Sequence, residues 1–318
     1  MLIGGCMTVA DKVEAKGGFK MKVTRPKLDD LDISIGKKTR LYRMLYEHGP
    51  GNGTLMILPI DQGIEHGPLN FFVNPPSEDP EFQYKLALEG GYSAIALHIG
   101  LAQKYSRKYV GRIPLLLKIN GKTNIPPDDN SFSPLTACVE DAVRLGADAV
   151  GYTLYAGSPS QDRDIRQLME VRYDCEKYGM PLVVWSYPRG SAIEAKGGKD
   201  SLYAIDYAAR LACEFGADIV KINVPHIDES KLDKLPKPYN TIKLSYEESI
   251  AKVVHAAGRT MVLFSGGSKE SDQDLIHKAK AAMNNGATGL IFGRNMWQRE
   301  HSDALKIASQ IKKMMLES

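Results

Sequence analysis

Eight short apolar runs recur along the chain, at 55–60, 94–98, 114–119, 148–153, 181–186, 218–222, 260–264 and 288–292. Each is continuously apolar rather than alternating, the pattern of parallel strands buried on both faces. The segments between them carry a helical rhythm. Over 133–145, Leu135, Cys138, Val139, Ala142 and Val143 fall at i, i+3, i+4, i+7 and i+8. That spacing predicts a helix with Ser133 as N-cap and Pro134 at its first position. Ser271 to Asp274 resembles a capping box ahead of the last run. A short helix is expected over 40–47, after which Gly51-Asn52-Gly53 breaks the chain.

A weak repeat supports the alternation. Gly146-Ala147-Asp148, Gly216-Ala217-Asp218 and Gly286-Ala287-Thr288 share one form, and Gly91-Tyr92-Ser93 is a looser copy. Each reads as a helix end, a tight turn and a strand start. Eight such βα units close into a barrel more naturally than they spread into an open sheet. The expected fold is therefore α/β, a single TIM (βα)8 barrel over residues 39–318. Residues 1–38 are polar, rich in Lys and Gly and weakly patterned, and are expected to form a partly disordered N-terminal extension. Segments 190–198 and 225–241 are expected as loops on the catalytic face.

Composition adds little and excludes much. The chain is 43% hydrophobic and 25% charged, ordinary for a globular protein. Its 41 basic and 38 acidic residues leave a net charge of +3, with no basic block and no apolar run of membrane-spanning length. Neither a nucleic-acid partner nor a membrane partner is expected. The N-terminus lacks the pattern of a signal peptide. Four cysteines have no metal-ligand spacing, and three of them fall in predicted helices as small buried hydrophobes. A reduced, cytoplasmic setting follows.

In a parallel barrel the C-terminal strand ends carry the chemistry. Lys221 stands at such an end, after a helix that stops at Gly216. A lysine there is a phosphate ligand, a buried ion pair or, when desolvated, an amine nucleophile. Lys118, on the third run, is a second cation able to lower the Lys221 pKa. Asp61 and Tyr187 are candidate proton carriers. Ser265-Gly266-Gly267-Ser268 and Gly293-Arg294 end the last two runs. Their backbone N–H groups and the guanidinium suit a phosphate, which barrels of this type bind after strands seven and eight. His66 and His98 lie near strand ends, but the seven histidines include no HxH or HExxH pair, so neither a metal nor a cofactor is expected.

Five motifs carry a resemblance. Asp61-Gln62-Gly63-Ile64-Glu65-His66-Gly67-Pro68, Val183 to Gly190, Ala217 to Ile222, Phe264-Ser265-Gly266-Gly267 and Phe292-Gly293-Arg294 together resemble the archaeal-type class I fructose-bisphosphate aldolases. The likeness runs in order over roughly residues 40–318. It implies a barrel and metal-free, reversible aldol cleavage of fructose-1,6-bisphosphate to dihydroxyacetone phosphate and glyceraldehyde-3-phosphate. It places the Schiff base on Lys221, proton transfer on Tyr187, and support on Asp61 and Trp185. Lys118, His66, Ser265, Gly266, Gly267, Gly293 and Arg294 remain as substrate- and phosphate-binding candidates. The partner implied is a small sugar phosphate, and the assembly a homo-oligomer, decamers included. Neighbouring enzymes make an amino-dideoxy-heptulosonate or act in thiolase-like fashion on a phosphorylated autoinducer. Trp185 and the Gln62 to His66 stretch look more like the aldolases. A non-catalytic sugar-phosphate sensor is the rival from another class.

Overall fold

The eight apolar runs are eight parallel strands: β1 (Leu55–Pro59), β2 (Ala94–His98), β3 (Leu115–Lys118), β4 (Ala149–Leu154), β5 (Leu182–Ser186), β6 (Ile219–Asn223), β7 (Met261–Ser265) and β8 (Gly289–Ile291). They pair in sequence order, and β8 returns to β1 with Leu55 level with Gly289, closing the barrel. Each strand end lies within one residue of its expected position. The computed structural model describes residues 23–267 and 269–318. Of the expected extension, residues 1–22, Cys6 among them, lie outside the described residues, as does Ser268.

The helices are α1 (Ile35–Tyr42), α2 (Gln62–Glu65), α3 (Pro80–Glu89), α4 (Ile99–Tyr105), α5 (Val139–Arg144), α6 (Gln161–Lys177), α7 (Ser191–Glu194), α8 (Leu202–Glu214), α9 (Tyr246–Ala256), α10 (Asp272–Asn284), α11 (Arg294–Trp297) and α12 (His301–Leu316). Strand side chains alternate between two cores, because successive Cβ atoms point to opposite faces. Leu55, Ile57, Ala94, Ala96, Leu116, Ala149, Val183, Trp185, Ile219, Met261, Leu263 and Ile291 fill the barrel interior. Their neighbours, among them Leu58, Leu97, Leu117, Val184, Val220 and Phe264, face the helices. This parity decides the site. Every second residue counted from Ile219 points inward, so Lys221 does.

The repeated turns explain the base of the barrel. Gly91, Gly146, Gly216 and Gly286 all take positive φ, between 64° and 89°, where a side chain is strained. Two residues later stand Ser93, Asp148, Asp218 and Thr288, all buried. Ser93 Oγ accepts the Met56 N–H at 3.1 Å, and Asp218 Oδ2 accepts the Leu182 N–H at 2.8 Å, each tying a strand to the one before it. The two aspartates also receive cations from the segment ahead of the barrel. Lys37 of α1 reaches Asp218 Oδ2 at 3.0 Å and also pairs with Glu176, while Arg43 reaches Asp148 Oδ1 at 2.6 Å. Leu28, Leu41, Met44 and Leu45 join the interior core beneath them. So residues 23–47, most of which read as a polar extension, close the barrel floor.

The helix expected over 133–145 is shorter. α5 begins at Val139 with Cys138 as its N-cap. Ser133 and Pro134 lie in a return segment, where Thr136 and Ala137 both donate to Ile119 O at 2.7 and 3.1 Å and Leu135 bridges Asn120. Pairing with the extended end of β3 satisfies those backbone groups and outweighs the helical spacing. Cys138 is accordingly exposed, Cys213 is half-buried, and Cys175 alone of the described cysteines is buried. At Ser271 one half of the expected capping box is present: its side chain accepts the Asp274 N–H.

Candidate active site

At the C-terminal mouth the inward positions turn polar. Asp61 follows β1, His98 and Lys118 end β2 and β3 at the same level, and Trp185 of β5 stands level with Lys221 of β6. Between Lys118 and Trp185 lies β4, whose inward residue is Gly151. A Cβ there would sit 2.8 Å from Trp185 Cζ3 and 3.0 Å from Lys118 Cδ. The missing side chain of Gly151 is therefore what lets the indole and the lysine share the barrel axis.

Lys118 is fully enclosed. Its ammonium lies 2.9 Å from Glu65 Oε1 and 3.6 Å from Asp61 Oδ2. It is 4.9 Å from the centroid of the Trp185 ring, which Lys221 approaches at 5.0 Å. Of the readings open for a strand lysine, Lys118 takes the buried ion pair, set behind the cavity wall. Burial pushes the Lys221 amine below the ordinary lysine range, Asp61 and Glu65 oppose this, and Arg294 adds to the lowering. Burial alone would raise the Asp61 carboxyl. Lys221, then Lys118 and His98, more than offset it and hold Asp61 at about 2. Burial, then Lys118, takes His98 down to about 4, which leaves its imidazole neutral at pH 7.

Tyr187 packs against the same interior core as Trp185. Its ring centroid is 5.7 Å from Lys221 Nζ and 5.4 Å from Arg189 Cζ. Burial, then Glu65 and Asp61, pushes its phenol well above the usual value, so it is protonated at neutral pH.

Above this layer opens a cavity of about 330 Å³. Lys221, Asp61, Tyr187, His66, Ser265, Gly266, Gly267, Gly293 and Arg294 line it, so nine of the eleven residues singled out from sequence meet there. Trp185 and Lys118 stand behind its wall. The wall also holds residues the motifs did not single out, namely Glu65, Arg189, Lys199, Asp200 and Asn223. Asn223 could have been found from its place two residues after Lys221 on the same face. It donates to Asp200 Oδ1 at 2.8 Å and accepts from Ser265 Oγ at 2.6 Å, which links the mouths of β6 and β7. The segments 190–198 and 225–241 border this mouth less than expected. Gly197 and most of the lining contributed by 225–241 belong to a smaller adjoining pocket. Among the described residues no three His, Cys, Asp or Glu side chains gather as metal ligands. No described helix is long and apolar enough to cross a membrane.

Fold and site together give a parallel (βα)8 barrel with a buried lysine amine on the wall of its mouth cavity. Residues 55–299 match the model of the family described as DeoC/LacD family aldolase. The chain is 38% identical over 264 residues to the class 1 fructose-bisphosphate aldolase of Thermoproteus tenax, covering 83% of this chain and 90% of that one. An archaeal fructose 1,6-bisphosphate aldolase superposes with a TM-score of 0.74 at 36% identity, over 87% of this chain and all of that one, 100%. A second archaeal structure, with its catalytic Lys bound to the carbinolamine intermediate of the substrate, matches with a TM-score of 0.73 at 35% identity, over 87% of this chain and 99% of that one. The chain belongs to the DeoC/LacD aldolase family.

Proposed function

We propose that this chain is a class I fructose-bisphosphate aldolase with Lys221 as the Schiff-base lysine. The observation that carries the reading is Lys221 itself, a 5% exposed amine on the cavity wall whose burial favours the neutral, nucleophilic form. Of the relatives named above, one is a class 1 fructose-bisphosphate aldolase and another an archaeal fructose-1,6-bisphosphate aldolase whose catalytic Lys is covalently bound to the carbinolamine intermediate of the substrate.

The steps are those of an amine adding to a ketone. The Lys221 amine adds to the ketose carbonyl, and loss of water leaves a protonated imine. The C3–C4 bond then breaks, its electron pair moves into the imine, and the C4 hydroxyl passes its proton to water in the open cavity as the aldehyde departs. The enamine carbon next takes a proton. Tyr187, kept protonated by burial and close to Lys221, is the acid for that step. Water then releases the ketone. Asp61, ionised throughout, and the indole of Trp185 both face Lys221 and stabilise the cationic imine. Gly266, Gly267, Gly293 and Arg294 hold a phosphate, and His66 lines the same cavity. Lys118 acts through Asp61 and Glu65.

Borohydride reduction with dihydroxyacetone phosphate should add the ketone's mass to the peptide holding Lys221. An adduct on Lys118, or none at all, would overturn the assignment. The reading carries a reduced cytoplasmic setting. It also carries a homo-oligomer. Leu69, Phe72 and Val73, 75%, 76% and 58% exposed on one turn, are apolar surface of the kind subunit contacts cover. Sedimentation of the purified chain tests it.

A further inference from the structure

Two loops reach the phosphate side of the cavity, one after β7 and one after β8, and a buried amide joins them. Asn295, 1% exposed on the first turn of α11, follows Gly293 and Arg294 directly. Its Nδ2 donates to Gly266 O at 3.2 Å. Its Oδ1 accepts the Glu270 N–H at 2.8 Å. One side chain thus grips the β7 loop at its first glycine and again four residues on, while its own backbone belongs to the β8 loop.

The two glycines of the β7 loop then have different reasons. Gly267 has φ of +66° and nothing within 4 Å of the place a Cβ would take, so its backbone conformation selects it. Gly266 has ordinary φ, but a Cβ there would stand 2.8 Å from Asn295 Nδ2 and 3.0 Å from Phe292 Cδ1. Close approach of the Asn295 amide is what demands a glycine at 266. Lesser contacts run the same way. Lys269 Nζ donates to Gln298 O at 3.0 Å, Arg299 pairs with Asp272 at 2.6 Å, and Arg299 Nε donates to Asn295 O at 2.6 Å.

Asn295 does not line the cavity, so it acts through the residues that do. Its job needs a donor and an acceptor in one planar fork. An amide offers both; a carboxylate offers only acceptors, and an alkyl group neither. We infer that Asn295 is the positioning residue that sets the two phosphate loops against each other, and so fixes the enzyme's preference for a phosphorylated ketone. The inference rests on the phosphate reading of these loops and names the device that makes one site of them.

Removing the donor leaves Gly266 O facing a carboxylate and frees the β7 loop to drift from Arg294. The carbonyl chemistry at Lys221 does not depend on that register. The test compares borohydride trapping at Lys221 with dihydroxyacetone phosphate and with unphosphorylated dihydroxyacetone, each as a rate against concentration. In Asn295→Asp the preference for the phosphorylated ketone, taken as the ratio of the two second-order rates, should fall about tenfold or more. A ratio at the wild-type value, whether both rates hold or fall together, makes Asn295 a core amide only and overturns the inference. Should Asn295→Asp fail to fold, Gly266→Ala presses on the same amide from the other side and is held to the same ratio. A wild-type enzyme that takes both ketones alike would instead overturn the phosphate reading, and this inference with it.

Discussion

Lys118 and Lys221 approach one indole, that of Trp185, with their nitrogens 4.9 and 5.0 Å from its ring centroid. They also share Asp61, whose carboxyl both hold down. Two lysines, Asp61 and Glu65 thus form a group of four that helps to set the charge of Lys221, with Arg294 adding to the lowering. Two substitutions should move it in opposite directions. Lys118→Met removes a competing cation and leaves both carboxylates to Lys221. The amine then holds its proton to higher pH, and the acid limb of imine formation moves up. Asp61→Asn removes the carboxylate that most favours the ammonium, so the limb moves down. Shifts of roughly one to three pH units are the scale for an adjacent charge. The pH dependence of borohydride trapping measures both, and shifts of the same sign would dissolve the group of four.

The barrel floor gives a stability prediction. Lys37 is 1% exposed; burial lowers its pKa, but Asp218 and then Glu176 more than offset this and hold it above the ordinary lysine value. Lys37→Met keeps the stem and leaves Asp218, 9% exposed, without its cation. Breaking a buried pair from one side costs about 3–5 kcal/mol. Urea denaturation should show a loss of that order. A loss near zero would mean that water reaches Asp218 and α1 does not seal the floor.

Much of this was open to a reader of the sequence, and the reasons are physical. Parallel strands covered on both faces leave long apolar runs, so all eight could be read to within a residue. Which residues turn inward was not legible, because the runs are apolar on both faces; the two cores of the closed barrel put Lys118, Trp185 and Lys221 inside. Partners were not legible. Nothing in the spacing of Lys37 or Arg43 says that each finds an aspartate of the repeated turns, so a floor plug looked like a polar extension. Lys118 read as a phosphate ligand because charge at a strand end is visible, while its enclosure by Asp61 and Glu65 comes only from the closed barrel. Ser133 and Pro134 carried every local sign of a helix start, and a tertiary pairing with Ile119 and Asn120 overrode them. Asn295 sat beside Gly293 and Arg294 and went unremarked, since its role depends on a loop 29 residues away along the chain.

Arg294 lines the cavity beside Gly266 and Gly267. It also helps to lower the pKa of His66, after burial. Arg294→Ala removes a charge-assisted contact worth roughly 1.5–3 kcal/mol, so KM for fructose-1,6-bisphosphate should rise roughly 10- to 150-fold. Steady-state kinetics decide, and an unchanged KM would make the β8 loop a purely structural turn.

Activity should survive exhaustive chelation. The ligands for a metal are not assembled among the described residues: His98 is buried with a lowered pKa, and His66, although Asp61 and Glu65 lie near it, joins no group of three ligating side chains. Complete loss of activity on chelation, restored by zinc, would return these two histidines to the chemistry.

Tyr187 allows binding and proton transfer to be told apart. It follows Trp185 by two residues and packs on the same interior core, so its ring faces the mouth where Lys221 stands. Burial keeps the phenol protonated, which suits an acid and disfavours a resting base. Tyr187→Phe keeps the ring and removes the proton, so the core should repack little. Imine formation should persist in the variant, because Lys221, Asp61 and Trp185 are untouched. Turnover should slow by roughly 10²–10⁴, the usual range for a general acid or base. Single-turnover release of dihydroxyacetone phosphate from fructose-1,6-bisphosphate measures the loss, with borohydride trapping as the control for the imine. A Phe variant that turned over at the wild-type rate would make Tyr187 a packing residue. The proton carrier would then have to be Glu65 or His66, since both line the cavity, whereas Asp61, held at about 2, is too weak a base to serve at neutral pH.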